Sequence, residues 1–275
     1  SFLIMPELPE VETIRRDLTP KILNKILKEI TILNEIFLAK SKISLNELLT
    51  LKGKKLLSLD RKGKYLLFNF GEKTLIFHLG LTGALISDLQ TIPKNLKKHH
   101  LLTMFFEHNT LYYFDIRKFG KIYLMDSSKI SYFLDQIGPD ALQIEFEEFK
   151  ELLQKHHIKV KTLLLNQRLI SGLGNIYIDE VLFRAKINPE RLSNTLSQEE
   201  IKTLYEVMKS LLEEAILLRG SSVRNYVDGD GKRGKFQERH LVYGKRGRPC
   251  PVCGIPLQYK KINQRGTVFC PNCQK

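Results

Sequence analysis

Four cysteines near the end of the sequence have the spacing of a metal site. Cys250-Pro-Val-Cys253 and Cys270-Pro-Asn-Cys273 form a C-x2-C-x16-C-x2-C pattern, in which two turns each offer two thiolates to a tetrahedral ion. The flanking runs "IPLQYKKI" and "GTVFC" predict a hairpin clamped by the metal. Two disulfides are the alternative, but nothing else in the sequence suggests an oxidising compartment. We therefore predict one structural Zn²⁺ per chain, bound by all four cysteines.

A glycine-containing turn in "SGLGNIYIDEVLF" is a candidate phosphate site. Gly172 and Gly174 interrupt a helical pattern, and Asn175 stands where the next helix begins. A compact turn there would present backbone N–H groups at a helix N-terminus, which suits a DNA phosphate. The alternative is a helix–turn–helix packing element in which a glycine ends the first helix.

Two carboxylates, Glu7 and Glu10, lie three residues apart at the start of a predicted helix. The segment "PEVETIRRDLTPKIL" places Val11, Ile14 and Leu18 on one helical face. Carboxylates at a helix N-terminus are favoured by the helix dipole, and such groups can also act in general acid–base catalysis. The residues alone leave both interpretations open.

The charge balance predicts a polyanionic partner. The 275 residues include 44 Lys+Arg and 30 Asp+Glu, a net charge of +14, and residues 221–275 carry 12 Lys/Arg against 3 Asp/Glu. With 43% hydrophobic residues, the chain can bury sizeable cores and is not simply a disordered basic tail. No uncharged apolar run approaches the ~18 residues of a membrane span. Nucleic acid is favoured over anionic lipid, because no basic amphipathic anchor stands out.

The elements that must position these residues fall into two halves. Between about residues 50 and 125, short β-rich runs recur between turn signals and predict an antiparallel sandwich or barrel. From about 145 to 218 the pattern is helical, with Gly-, Asn- or Pro-containing breaks. The boundary is predicted near Gly138-Pro139.

Seven motifs in order give the chain a resemblance to a known family. They are "MPELPEVET", "RKGKYLL", "HLGLTG", "DIRKFG", "GLGNIYIDEVLF", "DGDGKRGKF" and "QRGTVFCPNCQK". Together they resemble formamidopyrimidine-DNA glycosylase, the bacterial repair enzyme for oxidised purines, from Met5 to Lys275. Each motif alone would be weak evidence, but the whole ordered set leaves little room for chance.

The resemblance implies an α+β multidomain fold with DNA bound in a cleft between the domains. Its parts would be an N-terminal antiparallel β-sandwich with flanking helices over 1–138, a helix-two-turns-helix domain over 139–220, a lesion-capping loop and connector over 221–244, and a four-cysteine zinc-finger β-hairpin over 245–275. The glycines at 229, 231 and 234 suit a mobile lid.

The resemblance also implies the catalytic residues. A glycosylase that nicks DNA needs an amine to attack the sugar C1′ and form an iminium, and in the family that amine belongs to the proline after the initiator Met, here Pro6. Glu7 would act as general acid/base and Glu10 would support the same pocket. Lys64 would lie near the active-site phosphate and the elimination chemistry. Arg265, carried by the zinc hairpin, would bind the phosphate at the lesion.

Further residues are implied to bind DNA around a flipped base. Arg117 would pair with the orphaned base, Phe119 would wedge the stack, and Leu81 stands where the family usually has methionine. An apolar side chain of similar size should still work as a wedge. The segment "KKHHL" departs from the usual His-x-His spacing, and leaves open which of Lys98, His99 and His100 contacts phosphate. Asn175 would contact DNA from the glycine turn.

The start of the chain departs most from the family, because Ser1-Phe2-Leu3-Ile4-Met5 precede Pro6. A proline nitrogen acylated by Met5 is a tertiary amide and cannot be a nucleophile. We expect the working protein to begin at Met5 and to lose it. The segment "SFLIM" is too short for a signal peptide and lacks a basic start.

The expected function is base-excision repair as a bifunctional glycosylase and AP lyase, acting as a monomer on double-stranded DNA in the bacterial cytoplasm. Two alternatives remain at this point. Endonuclease VIII, the sister glycosylase for oxidised pyrimidines, shares the architecture but usually opens "PEGPE" rather than "PELPE". A non-catalytic zinc-ribbon nucleic-acid-binding protein would explain the charge and the cysteines, but not the ordered N-terminal carboxylates.

Overall fold

The structure is a computed structural model that describes residues 5–275, so the expectation about Ser1 to Ile4 lies outside the described residues. The N-terminal half contains α1 (Leu8–Ile22), β1 (Leu27–Ile32), α2 (Glu35–Lys40), α3 (Leu45–Leu49), β2 (Ser58–Lys62), β3 (Tyr65–Asn69), β4 (Lys73–His78), β5 (Gly83–Ile86), α4 (Lys94–Lys97), β6 (His100–Phe106), β7 (Asn109–Asp115), β8 (Lys121–Asp126) and α5 (Ile130–Asp135). The C-terminal half contains α6 (Phe146–Lys155), α7 (Val160–Leu165), α8 (Asn175–Arg184), α9 (Gln198–Leu217), β9 (Gln258–Ile262) and β10 (Arg265–Phe269).

The strands of the N-terminal half form two four-stranded antiparallel sheets. Their strand orders are β1-β6-β7-β5 and β2-β3-β4-β8. Side chains from both sheets share one core, and the rings of Phe77 and Tyr113 lie 5.4 Å apart across it. The predicted α+β fold with an N-terminal antiparallel sandwich, a helical C-terminal region and a four-cysteine hairpin is confirmed.

Helix α1 contributes to two cores and thereby joins the halves of the molecule. Val11, Ile14 and Leu18, the predicted apolar face, are buried in the core between the sheets. Leu8, one turn earlier, is buried instead in the helical core of the C-terminal half. The first turn of α1 therefore lies at the junction of the two halves, where Glu7 and Glu10 are placed.

A buried ion-pair network also crosses this junction. Arg61 on β2 lies with its Nε 3.0 Å from Glu12 Oε1 and also pairs with Asp140, beyond the predicted boundary. Asp140 accepts the backbone N–H of Gly63 at 2.7 Å. Burial opposes the charge of Glu12, but hydrogen bonds from Arg15 and Arg61 outweigh it and lower the pKa of Glu12 to about 2. The turn between β2 and β3 is thus fixed against the C-terminal half.

In the C-terminal half, α9 packs against α6 and α8, and α8 also packs against α7. Helix α9 begins with a capping box in which Ser197 Oγ accepts from Glu200 N, and Glu200 accepts in return from Ser197 N. The zinc hairpin has a small core of its own against Phe183 of α8. Within residues 5–275, no helix is both long and apolar enough to cross a membrane.

Candidate active site

Two small cavities lie on either side of Pro6 and Glu7, and Met5 lines both. The first, of about 100 Å³, is lined by Pro6, Glu10, Leu81, Thr82, Arg117, Ser221, Arg224, Asn225 and Tyr226. The second, of about 140 Å³, is lined by Glu7, Lys64, Leu165, Gln167, Gly174, Asn175, Ile176, Tyr243 and Arg265. A larger cavity of about 590 Å³, behind β2 and β3, contains none of the residues predicted for the site. The structure therefore brings most of those residues together around the start of α1.

Glu7 is buried, and one of its two carboxyl oxygens has no hydrogen-bond partner within residues 5–275. Its Oε2 accepts the N–H of Ile176 at 3.2 Å, at the N-terminus of α8. Its Oε1 has no hydrogen-bond partner among the described residues. Burial raises the pKa of Glu7 to about 8, although the Lys64 cation acts to lower it. Glu7 is therefore mostly protonated at neutral pH.

The glycine turn before α8 makes room for Glu7. A Cβ on Gly174 would lie 2.4 Å from Glu7 Oε1, so a side chain there would displace the carboxyl group. Helix α8 begins at Asn175, as the sequence predicted. The glycine turn therefore leaves the space that the carboxyl group of Glu7 occupies.

Glu10 differs from Glu7 because both of its oxygens are occupied. Oε2 accepts the N–H of Glu7 at 2.8 Å. Oε1 accepts the N–H of Ser221 at 2.7 Å and the hydroxyl of Tyr177 at 2.5 Å. Burial raises the pKa of Glu10 to about 7 against these donors. Glu10 ties the start of α1 to α8 and to the loop at Ser221, which is a positioning role.

Lys64 is not the solvated turn lysine that its local sequence alone would suggest. It follows Gly63, whose φ of 57° is typical of glycine, in the turn between β2 and β3. Only 6% of Lys64 is exposed. Burial lowers the pKa of its ammonium group, while Glu7 acts to raise it. The lysine therefore lies inside the second cavity with Glu7 and Arg265.

Arg265 reaches this cavity because its strand, β10, is held against helices α7 and α8. Lys161, fully buried on α7, lies 2.7 Å from Asp179 of α8 and donates to the carbonyl of Gly266 at 3.2 Å. Asp179 accepts the N–H of Val268 at 3.1 Å. Sequence reasoning did not identify Lys161 or Asp179, since their contacts are long-range.

Asn175, predicted to contact DNA, also holds this hairpin. Its Nδ2 donates to the carbonyl of Gly266 at 2.9 Å. Its Oδ1 is buried and has no partner among the described residues. A contact of Asn175 with phosphate stays a prediction, whereas its contact with the hairpin is observed.

The four cysteines are arranged for a tetrahedral metal ion. The Sγ atoms of Cys250 and Cys273 are 3.9 Å apart and those of Cys253 and Cys270 are 3.5 Å apart, and all four lie within 4.8 Å of one another. Zn–S bonds of ~2.3 Å at tetrahedral angles require sulfurs about 3.8 Å apart. These distances fit Zn²⁺ and are far too long for the disulfide alternative. The predicted structural zinc is supported.

We expect Cys253→Ser to abolish binding to lesion-containing DNA, because the loss of one thiolate releases the hairpin that positions Arg265. The measurements are zinc content by elemental analysis and affinity for a duplex with an abasic-site analogue. Val252→Ser, at an exposed position of the same turn, is the matched control and should retain both. Folded, DNA-binding protein with much less than one zinc per chain would contradict the assignment.

The residues predicted to fill the gap left by a flipped base lie in two neighbouring loops. Leu81 follows β4, and Arg117 and Phe119 follow β7. The Arg117 guanidinium lies 5.2 Å from the centre of the Phe119 ring, and Phe119 is 53% exposed. Leu81 and Arg117 thus line the first cavity, and the ring of Phe119 packs against Arg117.

Buried Asp115 joins these two loops, a role that sequence reasoning missed although the residue opens "DIRKFG". It accepts from the hydroxyl of Thr82 at 2.6 Å, and from the backbone N–H groups of Lys118 at 3.0 Å and Gly120 at 2.8 Å. The loops that carry Leu81 and Phe119 are therefore held as one unit.

The segment Lys98 to His100 lies at the start of β6. Lys98 is exposed and His99 half-buried. The Nε2 of His100 lies 2.8 Å from Thr103 Oγ1 and 3.1 Å from the carbonyl of Leu102. His100 is thus engaged within its own strand, which favours Lys98 or His99 as the phosphate contact.

Three family models match successive parts of the chain. They are the formamidopyrimidine-DNA glycosylase N-terminal domain over residues 5–122, the formamidopyrimidine-DNA glycosylase H2TH domain over 137–227, and a zinc finger found in FPG and IleRS over 247–275. The matches follow the order of the sandwich, the helices and the hairpin.

Curated proteins and solved structures are similar over almost the whole chain. Formamidopyrimidine-DNA glycosylase of Pelotomaculum thermopropionicum is 40% identical, over 98% of this chain and 99% of its own. That of Lactococcus lactis is 42% identical, over 98% and 100%. Lactococcus lactis Fpg in complex with abasic-site DNA superposes with a TM-score of 0.86 at 40% identity, covering 98% of this chain and 99% of that one. Its complex with N7-benzyl-Fapy-dG DNA gives 0.86 at 39% identity, covering 98% and 100%.

Proposed function

The chain belongs to the formamidopyrimidine-DNA glycosylase family, and on that premise we propose how its own residues carry out the reaction. It is a base-excision-repair DNA glycosylase with AP lyase activity. We propose 8-oxoguanine and formamidopyrimidines as its preferred lesions. The observation that carries the proposal is the convergence of Pro6, Glu7, Lys64 and Arg265 at the junction of the sandwich, the helices and the zinc hairpin.

We propose that the nucleophile is the amine of Pro6 once the preceding residues are removed. The Pro6 nitrogen attacks the sugar C1′, the bond from C1′ to the base breaks, and the base leaves with the bonding electron pair. Glu7 acts as the general acid, because its carboxyl group is mostly protonated and has an unpartnered oxygen. The Pro6 nitrogen then loses its proton, the bond from C1′ to O4′ breaks as a proton passes to O4′, and the product is a ring-opened iminium between Pro6 and C1′.

The iminium then makes strand cleavage possible. Its positive charge acidifies the neighbouring C2′–H, so that β-elimination breaks the 3′ C–O bond and δ-elimination the 5′ C–O bond. Lys64 and Arg265 would bind the phosphate at the lesion, since both are cations of the second cavity. Hydrolysis of the iminium returns the Pro6 amine.

The division of labour follows the halves of the molecule. We propose that 1–138 provides the catalytic residues and the flipping side chains, 139–220 binds the DNA backbone, 221–244 caps the lesion, and 245–275 brings Arg265. We propose that the protein acts as a monomer, because all the proposed site residues belong to one chain. We propose the bacterial cytoplasm as its location. The curated relatives are from bacteria.

The function is tested on three duplexes that differ at one position. They carry 8-oxoguanine opposite cytosine, thymine glycol, or an abasic site. We expect release of 8-oxoguanine and cleavage at the abasic site, with thymine glycol the poorer substrate. A preference for thymine glycol would support the endonuclease VIII alternative. Binding of all three duplexes without cleavage, by protein beginning at Pro6, would support the non-catalytic one.

We expect Arg117→Ala and Phe119→Ala to weaken binding to a duplex with an abasic-site analogue more than Lys64→Ala does. The two loop residues stabilise the flipped state, whereas Lys64 acts mainly near the chemistry. Leu81→Ala should have a smaller effect in the same direction. Affinities are measured in parallel on the undamaged duplex, which lacks the flipped state.

Tyr132→Ala provides the control for this series, since it removes an exposed aromatic ring outside the two loops. It should bind both duplexes as the unaltered protein does. Equal affinities of all four site variants for the abasic-site analogue would contradict the assignment of Arg117 and Phe119.

A further inference from the structure

An ion-pair cluster outside the proposed active site holds the predicted capping loop against the rest of the protein. It comprises Asp17 and Lys21 on α1, Arg219 just after α9, and Asp228 and Asp230 in the loop. We call these five residues the loop clasp. Their contacts join the end of α9, residues 228–230 of the loop and the C-terminal half of α1.

Arg219 is the centre of the loop clasp. Its Nη2 lies 2.7 and 2.6 Å from the two carboxylate oxygens of Asp17. Its Nε lies 2.7 Å from Asp228 Oδ2. Because Asp228 is fully buried, removal of the guanidinium would leave its charge poorly compensated. Arg219 thus binds α1 and the loop at the same time.

The outer part of the clasp holds the tip of the loop to the N-terminal half. Lys21 Nζ lies 2.6 Å from Asp230 Oδ1 and 2.6 Å from the hydroxyl of Ser87. Gly229 donates its N–H to Asp17 at 3.0 Å and accepts the N–H of Ser87 at 2.9 Å. The loop therefore begins after Arg219 in the C-terminal half, and its residues Gly229 and Asp230 contact the N-terminal half.

The loop clasp is an ion-pair cluster rather than a cation site. Oxygens of Asp17, Asp228 and Asp230 lie within 4.8 Å of one another, as in some metal centres. The Arg219 guanidinium lies among them and Lys21 lies on Asp230, so two cations compensate three carboxylates.

The segment between the clasped ends forms a wall of the first cavity. Ser221, Arg224, Asn225 and Tyr226 line that cavity together with Pro6. The clasp fixes the chain immediately before this segment, at Arg219, and immediately after it, at Asp228. A base held beside Pro6 would therefore meet a wall whose position depends on the clasp.

We propose that Arg219 is a positioning residue that holds residues 221–228 closed over a flipped damaged base. The inference rests on the proposed function. The clasp is needed while a base occupies the cavity, because the wall must face that base. It is not needed at an abasic site, where no base is present. Arg219 should therefore be needed for excision of a damaged base but not for strand cleavage at a site that has already lost its base.

Glycine at this position gives a clean test, because Arg219 has a φ of 64°, in the region that glycine adopts most readily. Arg219→Gly removes the side chain while suiting the backbone. We expect single-turnover excision of 8-oxoguanine to fall about three- to tenfold, more than for loss of a single exposed ion pair, because Asp228 is fully buried. Cleavage of a preformed abasic site should stay within about twofold of the unaltered protein.

Lys186→Gly is the matched control. Lys186 is an exposed cation just after α8, has a φ of 61°, and forms no side-chain ion pair among the residues described here. It should leave both activities unchanged. Asp17→Asn breaks the clasp from α1 with a side chain of the same size, and should show the same selective loss as Arg219→Gly.

The rate of hydrogen exchange at the Gly229 amide, measured on the full chain without DNA, reports whether the loop clasp is intact, independently of catalysis. We expect faster exchange in Arg219→Gly and Asp17→Asn but not in Lys186→Gly. Unchanged exchange, or an equal loss of both activities, would overturn the inference. An unaltered protein inactive on both substrates would contradict the proposed function, while exchange at Gly229 would still decide whether the clasp holds the loop.

Discussion

A chain that begins at Pro6 will form a covalent adduct with 8-oxoguanine DNA under borohydride, whereas the chain that retains Ser1 to Met5 will not. The reason is valence: an iminium to C1′ requires a secondary amine, and acylation by Met5 leaves the Pro6 nitrogen without a usable lone pair. A free α-amine has a reference pKa of about 7.7–8.0, against about 10.4 for lysine. It is therefore far more often neutral at pH 7.

The structure adds a steric reason, because Met5 lines both cavities beside Pro6. A retained Met5 occupies space next to Pro6, in addition to blocking its nitrogen. The predicted flipping residues Arg117 and Phe119 and the four-cysteine hairpin are present in both chains. The longer chain should therefore still bind lesion-containing DNA, so that binding and chemistry separate in the comparison.

Lys64 is the one competing nucleophile that the site suggests, since it is buried and its pKa is lowered by burial. Lys64→Met in the chain beginning at Pro6 provides the control, and this variant should still be trapped. Equal trapping of the extended chain, with its N-terminus confirmed intact by mass spectrometry, would show that Pro6 is not the nucleophile and would point to Lys64.

Local patterns predicted the elements whose residues repeat regularly. The apolar face of α1 followed from helical spacing, and helices α6 to α9 lie within the region of about 145–218 that was predicted to be helical. Strands β1 and β5 were not predicted. The first mixes charged and apolar residues in "LKEITI", and the second has four residues. Both are strands because they pair with β6 and β7 at the sheet edges, which no local pattern encodes.

The site divides in the same way. The four cysteines have the spacing that a tetrahedral metal site requires, so the zinc hairpin could be predicted from the sequence. The roles of Pro6, Lys64 and Arg265 came from resemblance, because nothing local distinguishes a buried turn lysine from a solvated one. Lys161 and Arg219 were missed altogether. Their partners lie 18 and 202 positions away, and only the fold brings them into contact.

Base excision by the chain beginning at Pro6 will decline as the pH rises above about 8, and Glu7→Gln will lose both that decline and most of the rate. Burial raises the pKa of Glu7 to about 8, so the carboxyl group is protonated below that pH and can donate its proton. Above it, the group is a carboxylate and cannot. The Pro6 amine changes in the opposite sense, since it must be neutral to attack, and it produces the acid limb of a bell-shaped profile.

Glutamine keeps the size of Glu7 and can still accept the N–H of Ile176, but it has no proton to give. We expect single-turnover excision of 8-oxoguanine to fall by ~10²–10⁴-fold, the usual contribution of general acid–base catalysis. Glu10→Gln is the matched control. Both oxygens of Glu10 accept hydrogen bonds, so the amide should lower stability. The alkaline limb should remain but move to lower pH, because the charge of Glu10 acts to raise the pKa of Glu7.

Lys64→Met tests the electrostatic cause of the limb. The Lys64 cation lowers the pKa of Glu7 against the effect of burial, so its removal should raise that pKa and move the alkaline limb to higher pH, whatever happens to the maximal rate. The profile is measured from pH 6 to 10 on one duplex under single-turnover conditions. An alkaline limb that persists unchanged in Glu7→Gln would assign the titrating acid to another group and remove Glu7 from the proton-transfer step.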